Sequence, residues 1–234
     1  MRGSGVGRTD LVLDLGAGHG ALTTELARCA RRVQAIEIDP VLVTGLRQRF
    51  GTAGNVDVVA GDAVRVSLPA EPFRVVANIP FNRTTAILRR LLDDPLLPLV
   101  AADLVVELEV AWKRARCTPS TALGVYWGAW YEFSLVRRLD ASAFAPPPGT
   151  DAGLLRIERR VEPLVAPNDA REYRALVRTA FDSRAPVRRT LRARLSALQL
   201  KRLAAELGFA SGAPPWELDQ HQWAGVFGFV RAAR

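Results

Sequence analysis

The sequence has few of the residues that build metal and redox sites. Its 234 residues include two cysteines, Cys29 and Cys117, and two histidines, His19 and His221. They form no CxxC or HxxxH spacing, so no structural zinc, disulfide framework or other metal site is expected. A Ser-His-Asp site finds little support, because His19 sits in a glycine-rich turn and His221 lies near the C-terminus. Long apolar runs are missing too. The longest, such as Leu96 to Ala102, fall far short of the roughly 20 residues that span a bilayer. Asp10 and Asp14 interrupt the first apolar stretch, which leaves no signal-peptide core. A cytoplasmic protein without membrane contact is expected. Lysine is almost absent, occurring only at Lys113 and Lys201.

The positive charge is therefore carried by arginine. With 32 basic and 24 acidic residues the net charge is +8, and the pI is about 10.6. Such an excess suits a polyanionic partner, most simply a nucleic acid, and arginine can grip phosphate with two parallel hydrogen bonds. Hydrophobic residues make up 49% and charged residues 24%. That composition fits a globular core, and the length fits one domain plus a small second one.

Short apolar runs alternate with helical patterns over the first two thirds. Leu11–Leu15, Val33–Ile38, Val56–Ala60, Phe73–Ala77 and Asp103–Leu108 read as strands. Ala21–Arg32, Pro40–Phe50, Thr84–Leu92 and Thr121–Trp130 read as helices. Phe133–Leu139 and Leu154–Arg160 read as late strands, possibly antiparallel. The alternation predicts a Rossmann-like, doubly wound sheet with its ligand beyond the carboxyl ends of the strands. After Arg160 comes a proline-bearing linker, Val161–Asn168. Asp169 then reads as the N-cap of a helix to about Phe181. Further helices are expected over Pro186–Leu200, Lys201–Leu207 (ended by Gly208) and Pro215–Val230. The predicted organisation is an α/β domain over 1–160 and a small all-α domain over 161–234.

Acidic residues mark three successive strand ends. Asp14-Leu15-Gly16-Ala17-Gly18-His19-Gly20 follows the first strand, and its glycines allow a tight turn and a close approach of backbone to ligand. The third glycine follows two residues after the second, whereas the dinucleotide fingerprint leaves a gap of three. Asp14 is placed to act on a ligand amino group. Glu37 ends the second strand, 21 residues beyond Gly16, where a carboxylate can accept both ribose hydroxyl hydrogens. Ile38 follows it. Asp62, in Gly61-Asp62-Ala63, can accept from an adenine amino group while a neighbouring backbone N–H meets the ring. Asp39, before Pro40, reads as a helix N-cap instead.

Asn78-Ile79-Pro80-Phe81 closes the fourth strand. The lone pair of an adenine amino nitrogen is delocalised into the ring, so the nitrogen is a poor nucleophile. The Asn78 side-chain oxygen and the Ile79 or Pro80 carbonyl can accept its hydrogens and favour a more tetrahedral nitrogen. Pro80 holds the loop extended, and Phe81 can stack on an extruded base. Positioning in line with a methyl sulfonium would do most of the catalysis, without a strong base.

With these motifs on the page, the sequence resembles the rRNA adenine N6-dimethyltransferase superfamily, and most nearly its Erm branch of macrolide-lincosamide-streptogramin B resistance enzymes. DLGAGHGALT from Asp14, EID from Glu37, GDA from Gly61 and NIPF from Asn78 carry the resemblance. VELEVAWKRA from Val106, FAPPPGTDAGLLRI from Phe144 and PLVAPNDAREYRALVRTAF from Pro163 extend it more loosely. The resemblance implies S-adenosylmethionine-dependent methylation of adenine N6 in 23S rRNA, naked or in an assembly precursor, by a monomer. It implies that Asp14, Gly16, Gly18, Glu37, Ile38, Asp62, Ala63 and Asn78 hold the cofactor. Asn78, Ile79, Pro80 and Phe81 would handle the target base. The alternatives are a small-subunit rRNA adenine dimethyltransferase, from whose pattern PPPGTDAGLL departs, and a non-catalytic nucleic-acid-binding relative. The family's Gln-Asn-Phe segment upstream of the first strand is not found in Met1–Asp10, and weak cofactor binding by the chain as written is the expectation that follows.

Three basic clusters are candidate RNA contacts. Arg83 follows the tetrapeptide, with Arg89 and Arg90 beyond it. Lys113, Arg114 and Arg116 read as a basic turn. Arg184, Arg188 and Arg189, with Arg192 and Arg194 nearby, crowd the helical region, so 161–234 is expected to be an RNA-binding domain beside a cofactor-binding catalytic domain over 1–160. Trp127, Trp130 and Tyr131 read as core residues.

Overall fold

The computed structural model describes residues 5–116, 118–144 and 149–233. Cys117 and most of the proline loop, 145–148, lie outside them. Two compact units emerge. One comprises the described residues up to Trp112 with Phe133–Arg159, and the other comprises Lys113–Glu132 with the described residues from Arg160 onward.

The first unit is built on a sheet. Its strands are β1 (Leu11–Leu15), β2 (Arg32–Glu37), β3 (Val56–Ala60), β4 (Phe73–Asn78), β5 (Leu99–Glu107), β6 (Tyr131–Leu139) and β7 (Ala152–Arg159). They lie in the order β3-β2-β1-β4-β5-β7-β6. β1 through β5 pair in parallel, and β7 runs antiparallel to β5. All five residues of β1 are buried, as a strand covered on both faces requires. The order reverses between β1 and β4, and that reversal opens a crevice at the carboxyl ends of those strands. Asp103 and Arg156, opposite one another in β5 and β7, form a largely buried ion pair at 2.8 Å.

Helices α1 (Ala21–Cys29), α2 (Pro40–Phe50), α3 (Thr84–Leu92) and α4 (Leu108–Arg114) follow strands β1, β2, β4 and β5. α2 starts as expected: Pro40 occupies its first turn, and the Asp39 side chain accepts from the Val41 N–H at 2.7 Å. Only glycine suits the turn before α1, where Gly16, Gly18 and Gly20 have φ of 76°, 56° and 79°.

The second unit is helical: α5 (Ala122–Gly128), α6 (Ala170–Ser183), α7 (Val187–Leu191), α8 (Ala197–Leu207) and α9 (Gln220–Ala232). Aromatic rings hold it together. Tyr173 of α6 lies 5.4 Å from Phe227, 5.9 Å from Trp130 and 6.3 Å from Tyr126 between ring centroids. The Trp130 indole N–H donates to the Val165 carbonyl at 2.8 Å.

Several expectations change. The boundary expected at residue 160 does not coincide with the compact units, because the aromatic residues of 122–131 pack with α6 and α9. The basic turn at Lys113 and Arg114 is the end of helix α4. Pro186–Leu200 is not one helix. It breaks after Leu191, and α8 begins afresh at Ser196, which forms a reciprocal capping box with Gln199. Gly208 ends α8 in the left-handed conformation, as expected. Asp169 precedes α6, but its carboxylate pairs with Arg231 instead of capping the helix.

Candidate active site

The crevice at the strand ends holds a cavity of about 400 Å³. Gly16 from the glycine turn, Glu37 and Ile38 from the end of β2, and Asp62 and Ala63 after β3 contribute to its wall. Pro80, Asn82 and Arg83 close it from the loop after β4. Ile38, 67% exposed, offers an apolar surface beside the two carboxylates.

Glu37 is buried, and both of its oxygens are in use. Oε2 accepts from the Gly18 N–H at 2.9 Å, and Oε1 accepts from the Ile38 and Asp39 N–H groups at 2.8 and 3.0 Å. The carboxylate thus ties the glycine turn to the end of β2. With about four acceptor positions on a carboxylate, roughly one stays free. The backbone bonds leave Glu37 fewer open positions for the two hydroxyl hydrogens expected of it than a free carboxylate has.

Asp62 accepts from the Val64 N–H at 2.9 Å and from Arg83 Nη2 at 2.7 Å. These partners, the Val64 bond foremost, hold its carboxyl below the ordinary carboxylate range. Arg83, read from the sequence as an RNA contact, is here part of the cavity wall and paired with an acid.

Asp14 is not among the residues lining the cavity. It is 1% exposed beneath the glycine turn and accepts from the Thr23 hydroxyl at 2.7 Å. Burial pushes its carboxyl up to about 6, against the lowering effect of Thr23. In this arrangement it braces α1 against β1 from below the cavity wall.

The tetrapeptide leaves β4 at its end. Asn78 still pairs in register with Val105 of β5, yet it is exposed, and its amide has no protein partner among the described residues. Ile79 is buried at 1% and anchors the loop, Pro80 is exposed with its ring toward Gly16, and Phe81 is half-buried at the start of a short 3-10 turn. Gly18, Asn78, Ile79 and Phe81 do not line the cavity, while Ile36, Gly61, Val64, Asn82 and Ile87 do. The last five carry no chemical signature of their own. Their only signal is adjacency to the acidic strand ends and to the tetrapeptide.

The basic clusters divide. The Arg114 guanidinium lies 4.8 Å over the Trp127 ring, Nη1 donates to Thr121 at 3.2 Å, and desolvation lowers its pKa. It packs α5 and is not the free phosphate ligand expected. Lys113, Arg116, Arg184, Arg188 and Arg189 are exposed and make no ion pair among the described residues. Trp127, Trp130 and Tyr131 are buried, as expected.

The family model for ribosomal RNA adenine dimethylase matches residues 4–210. The chain belongs to that family. It is 38% identical over 173 residues to an rRNA adenine N-6-methyltransferase of Corynebacterium diphtheriae, covering 74% of this chain and 67% of the relative. It is 37% identical over 223 residues to the mycinamicin-resistance protein MyrB of Micromonospora griseorubida, covering 94% and 70%. The solved structure of the 23S rRNA methyltransferase ErmE is similar with a TM-score of 0.86 and 30% identity, over 97% of this chain and 93% of that one. The protein is thus an rRNA adenine methyltransferase with Erm-type relatives. In this family member the glycine turn, the two cavity carboxylates and the asparagine loop sit at one reversal point of one sheet.

Proposed function

We propose that this rRNA adenine methyltransferase takes its methyl group from S-adenosylmethionine and places it on N6 of an adenine in 23S rRNA, once or twice, and so protects the ribosome from macrolide-type antibiotics. The observation that carries the reading is the pairing of one cavity, walled by Glu37 and Asp62, with an adjoining exposed loop whose Asn78 amide is unengaged.

The donor set suits the cofactor. A nucleoside presents hydroxyl hydrogens, an amino group and flat apolar faces. The cavity presents a free acceptor position on Glu37, the Asp62 carboxylate and the side chain of Ile38. S-adenosylmethionine supplies an electrophilic methyl group on sulfonium. The protein supplies acceptors and placement. Asn78 Oδ1 and the carbonyl of Ile79 or Pro80 accept the two hydrogens of the target amino group, which frees the nitrogen lone pair for attack. Ile79, locked in the core, fixes the loop, and Phe81 offers a ring on which an extruded base can stack. Holding the nitrogen in place is most of the work.

The 23S target and the resistance role are supported by the relatives: a mycinamicin-resistance protein at 37% identity and a 23S rRNA methyltransferase at 30%. In this reading the substrate is naked rRNA or an assembly precursor, the enzyme is a monomer, and the compartment is the cytoplasm. No helix among the described residues is long and apolar enough to cross a membrane. The test is methyl transfer from labelled S-adenosylmethionine to naked 23S, naked 16S and ribosome-bound rRNA, followed by mapping of the label. Label on a single 23S adenine is expected. Label confined to 16S rRNA would replace the reading with the small-subunit activity.

A further inference from the structure

A second cavity, of about 440 Å³, opens at the carboxyl end of β5, and it shares no lining residue with the first. Glu107, Leu108, Glu109 and Trp112 line it from the junction of β5 and α4, and Thr150 and Asp151 line it from the start of β7. All six belong to the sheet unit. Sheet register places this cavity beside the chemistry. Asn78 pairs with Val105, and Glu107 stands two residues further along β5. A rise of about 3.3 Å per residue and a strand spacing of about 4.8 Å put the Cα atoms of Asn78 and Glu107 roughly 8 Å apart.

The backbone around the cavity is held firmly. The Leu108 N–H donates to the Asp151 carbonyl at 3.0 Å. A Cβ on Gly153 of β7 would stand 2.8 Å from Ala111 Cβ and 3.4 Å from Leu108 Cδ1, so α4 lies directly on β7. Leu108 and Trp112, four residues apart, share one face of α4. Trp112 is 61% exposed, whereas Trp127, Trp130 and Trp223 are at most 1% exposed. The core does not use the Trp112 ring, and the cavity does. The carboxylates differ among themselves. Asp151 is engaged, with one oxygen on Arg138 and the other on the Ala141 N–H. Glu107 is half-buried, and its carboxylate has neither an ion pair nor a hydrogen bond among the described residues. A wall of tryptophan and leucine with acceptors and no cation suits a flat group that carries N–H donors, and it turns a phosphate away.

We propose that this cavity is a specificity subsite that takes a guanine immediately next to the target adenine in the RNA, stacked on Trp112 and read by Glu107. The proposal rests on the reading that the enzyme methylates an adenine of rRNA, and it deepens that reading by assigning the sequence context. Unpaired RNA bases are recognised by stacking on aromatic side chains and by hydrogen bonds along their edges. Guanine fits this wall best. Its N1–H and N2–H point the same way and meet the two oxygens of one carboxylate in a bidentate pair. Cytosine and adenine offer a carboxylate only an amino group, and uracil offers one imino hydrogen between two carbonyls.

The test measures methyl transfer to a set of rRNA fragments that carry each of the four bases directly 5′ or directly 3′ of the methylated adenine. The parent is compared with Glu107→Gln, Trp112→Ala and Trp112→Phe, with thermal melting to verify folding and calorimetry to follow S-adenosylmethionine affinity. The parent should prefer guanine at one of the two positions by about tenfold or more in kcat/KM, the discrimination that a good bidentate pair supplies. Glu107→Gln should lose that preference and shift it toward adenine, because an amide donates as well as accepts. Trp112→Ala should lower kcat/KM on every fragment by about tenfold, the scale of one lost base–aromatic stack, and Trp112→Phe should restore most of it. Cofactor affinity should stay level throughout. A parent indifferent to both neighbours overturns the subsite and leaves the rRNA reading intact. So does a guanine preference that survives Glu107→Gln, or parent-like transfer by Trp112→Ala. Methyl transfer to none of the fragments would instead fail the substrate reading itself, and the subsite with it.

Discussion

Asn78 and Asp14 are both polar residues at strand ends, and the structure uses them in opposite ways. Asn78 is exposed with an unengaged amide, so little folding energy depends on it. Asn78→Ala should abolish most methyl transfer, by a hundredfold or more, and leave the melting midpoint unchanged; activity within threefold of the parent would remove Asn78 from the chemistry. Asp14 is buried, and burial raises its carboxyl from 3.8 to about 6. The folded state therefore holds a proton that the unfolded chain releases at lower pH. Its contribution to stability is greatest below pH 4 and is lost as pH rises through about 6, a loss of up to about 3 kcal/mol. Asp14→Asn keeps the shape and still accepts from Thr23, so it should be more stable than the parent at pH 7.5, with the gap closing toward pH 4. Denaturant unfolding across that range checks it, and a gap independent of pH would clear the carboxylate. Glu37 lies between these cases. Glu37→Ala leaves the N–H groups of Gly18, Ile38 and Asp39 without their acceptor, so it should lower stability by about 2 kcal/mol as well as weaken cofactor binding. Calorimetry and melting on one sample separate the two losses.

At the scale of elements, the parts that could be read from sequence were those whose signal is local. β1, α2 and the asparagine loop follow from an all-apolar run, an Asp-Pro start and an Asn-x-Pro sequence. Gly20 belongs with them: its φ of 79° and the space around it both exclude a side chain. A Cβ there would stand 2.8 Å from Leu46 Cδ2 and from Phe50 Cε2. Gly20→Ala should therefore cost about 2–4 kcal/mol, part from the left-handed backbone and part from crowding. A midpoint within a degree of the parent would show that α2 yields easily. The elements read wrongly depend on partners far away in sequence. Lys113 and Arg114 read as a turn by the likeness of VELEVAWKRA to the family's pattern, yet α4 continues through them, and Trp127 takes the Arg114 guanidinium. Arg83 suggested a free cation because nothing near it in sequence shows that Asp62 reaches it. The break between α7 and α8 did carry a local signal, Ser196 three residues before Gln199, which the run of arginines concealed.

At the scale of the whole molecule, the division between units runs through the sequence twice, after Trp112 and after Arg159. A linear reading puts the division once, at the proline-bearing linker, because composition changes there. Aromatic packing decides the matter. Tyr126, Trp127 and Trp130 are at most 3% exposed. Tyr126 and Trp130 meet Tyr173 of α6, and the Trp130 indole bonds to Val165, all of which lie beyond residue 160. A fragment of residues 1–160 would keep the three rings and lose these partners. Each ring buries about 150–250 Å² in a folded core, so the fragment would carry an apolar patch of a size that soluble monomers rarely expose. Strong binding of a hydrophobic dye, red-shifted tryptophan emission and light scattering at micromolar concentration are expected for it, with none of these for the full chain. A clear monomeric solution of the fragment, with a cooperative melt and unshifted emission, would instead place the working boundary at the linker. It would also mean that the helix bearing Trp127 finds enough cover without α6 and α9.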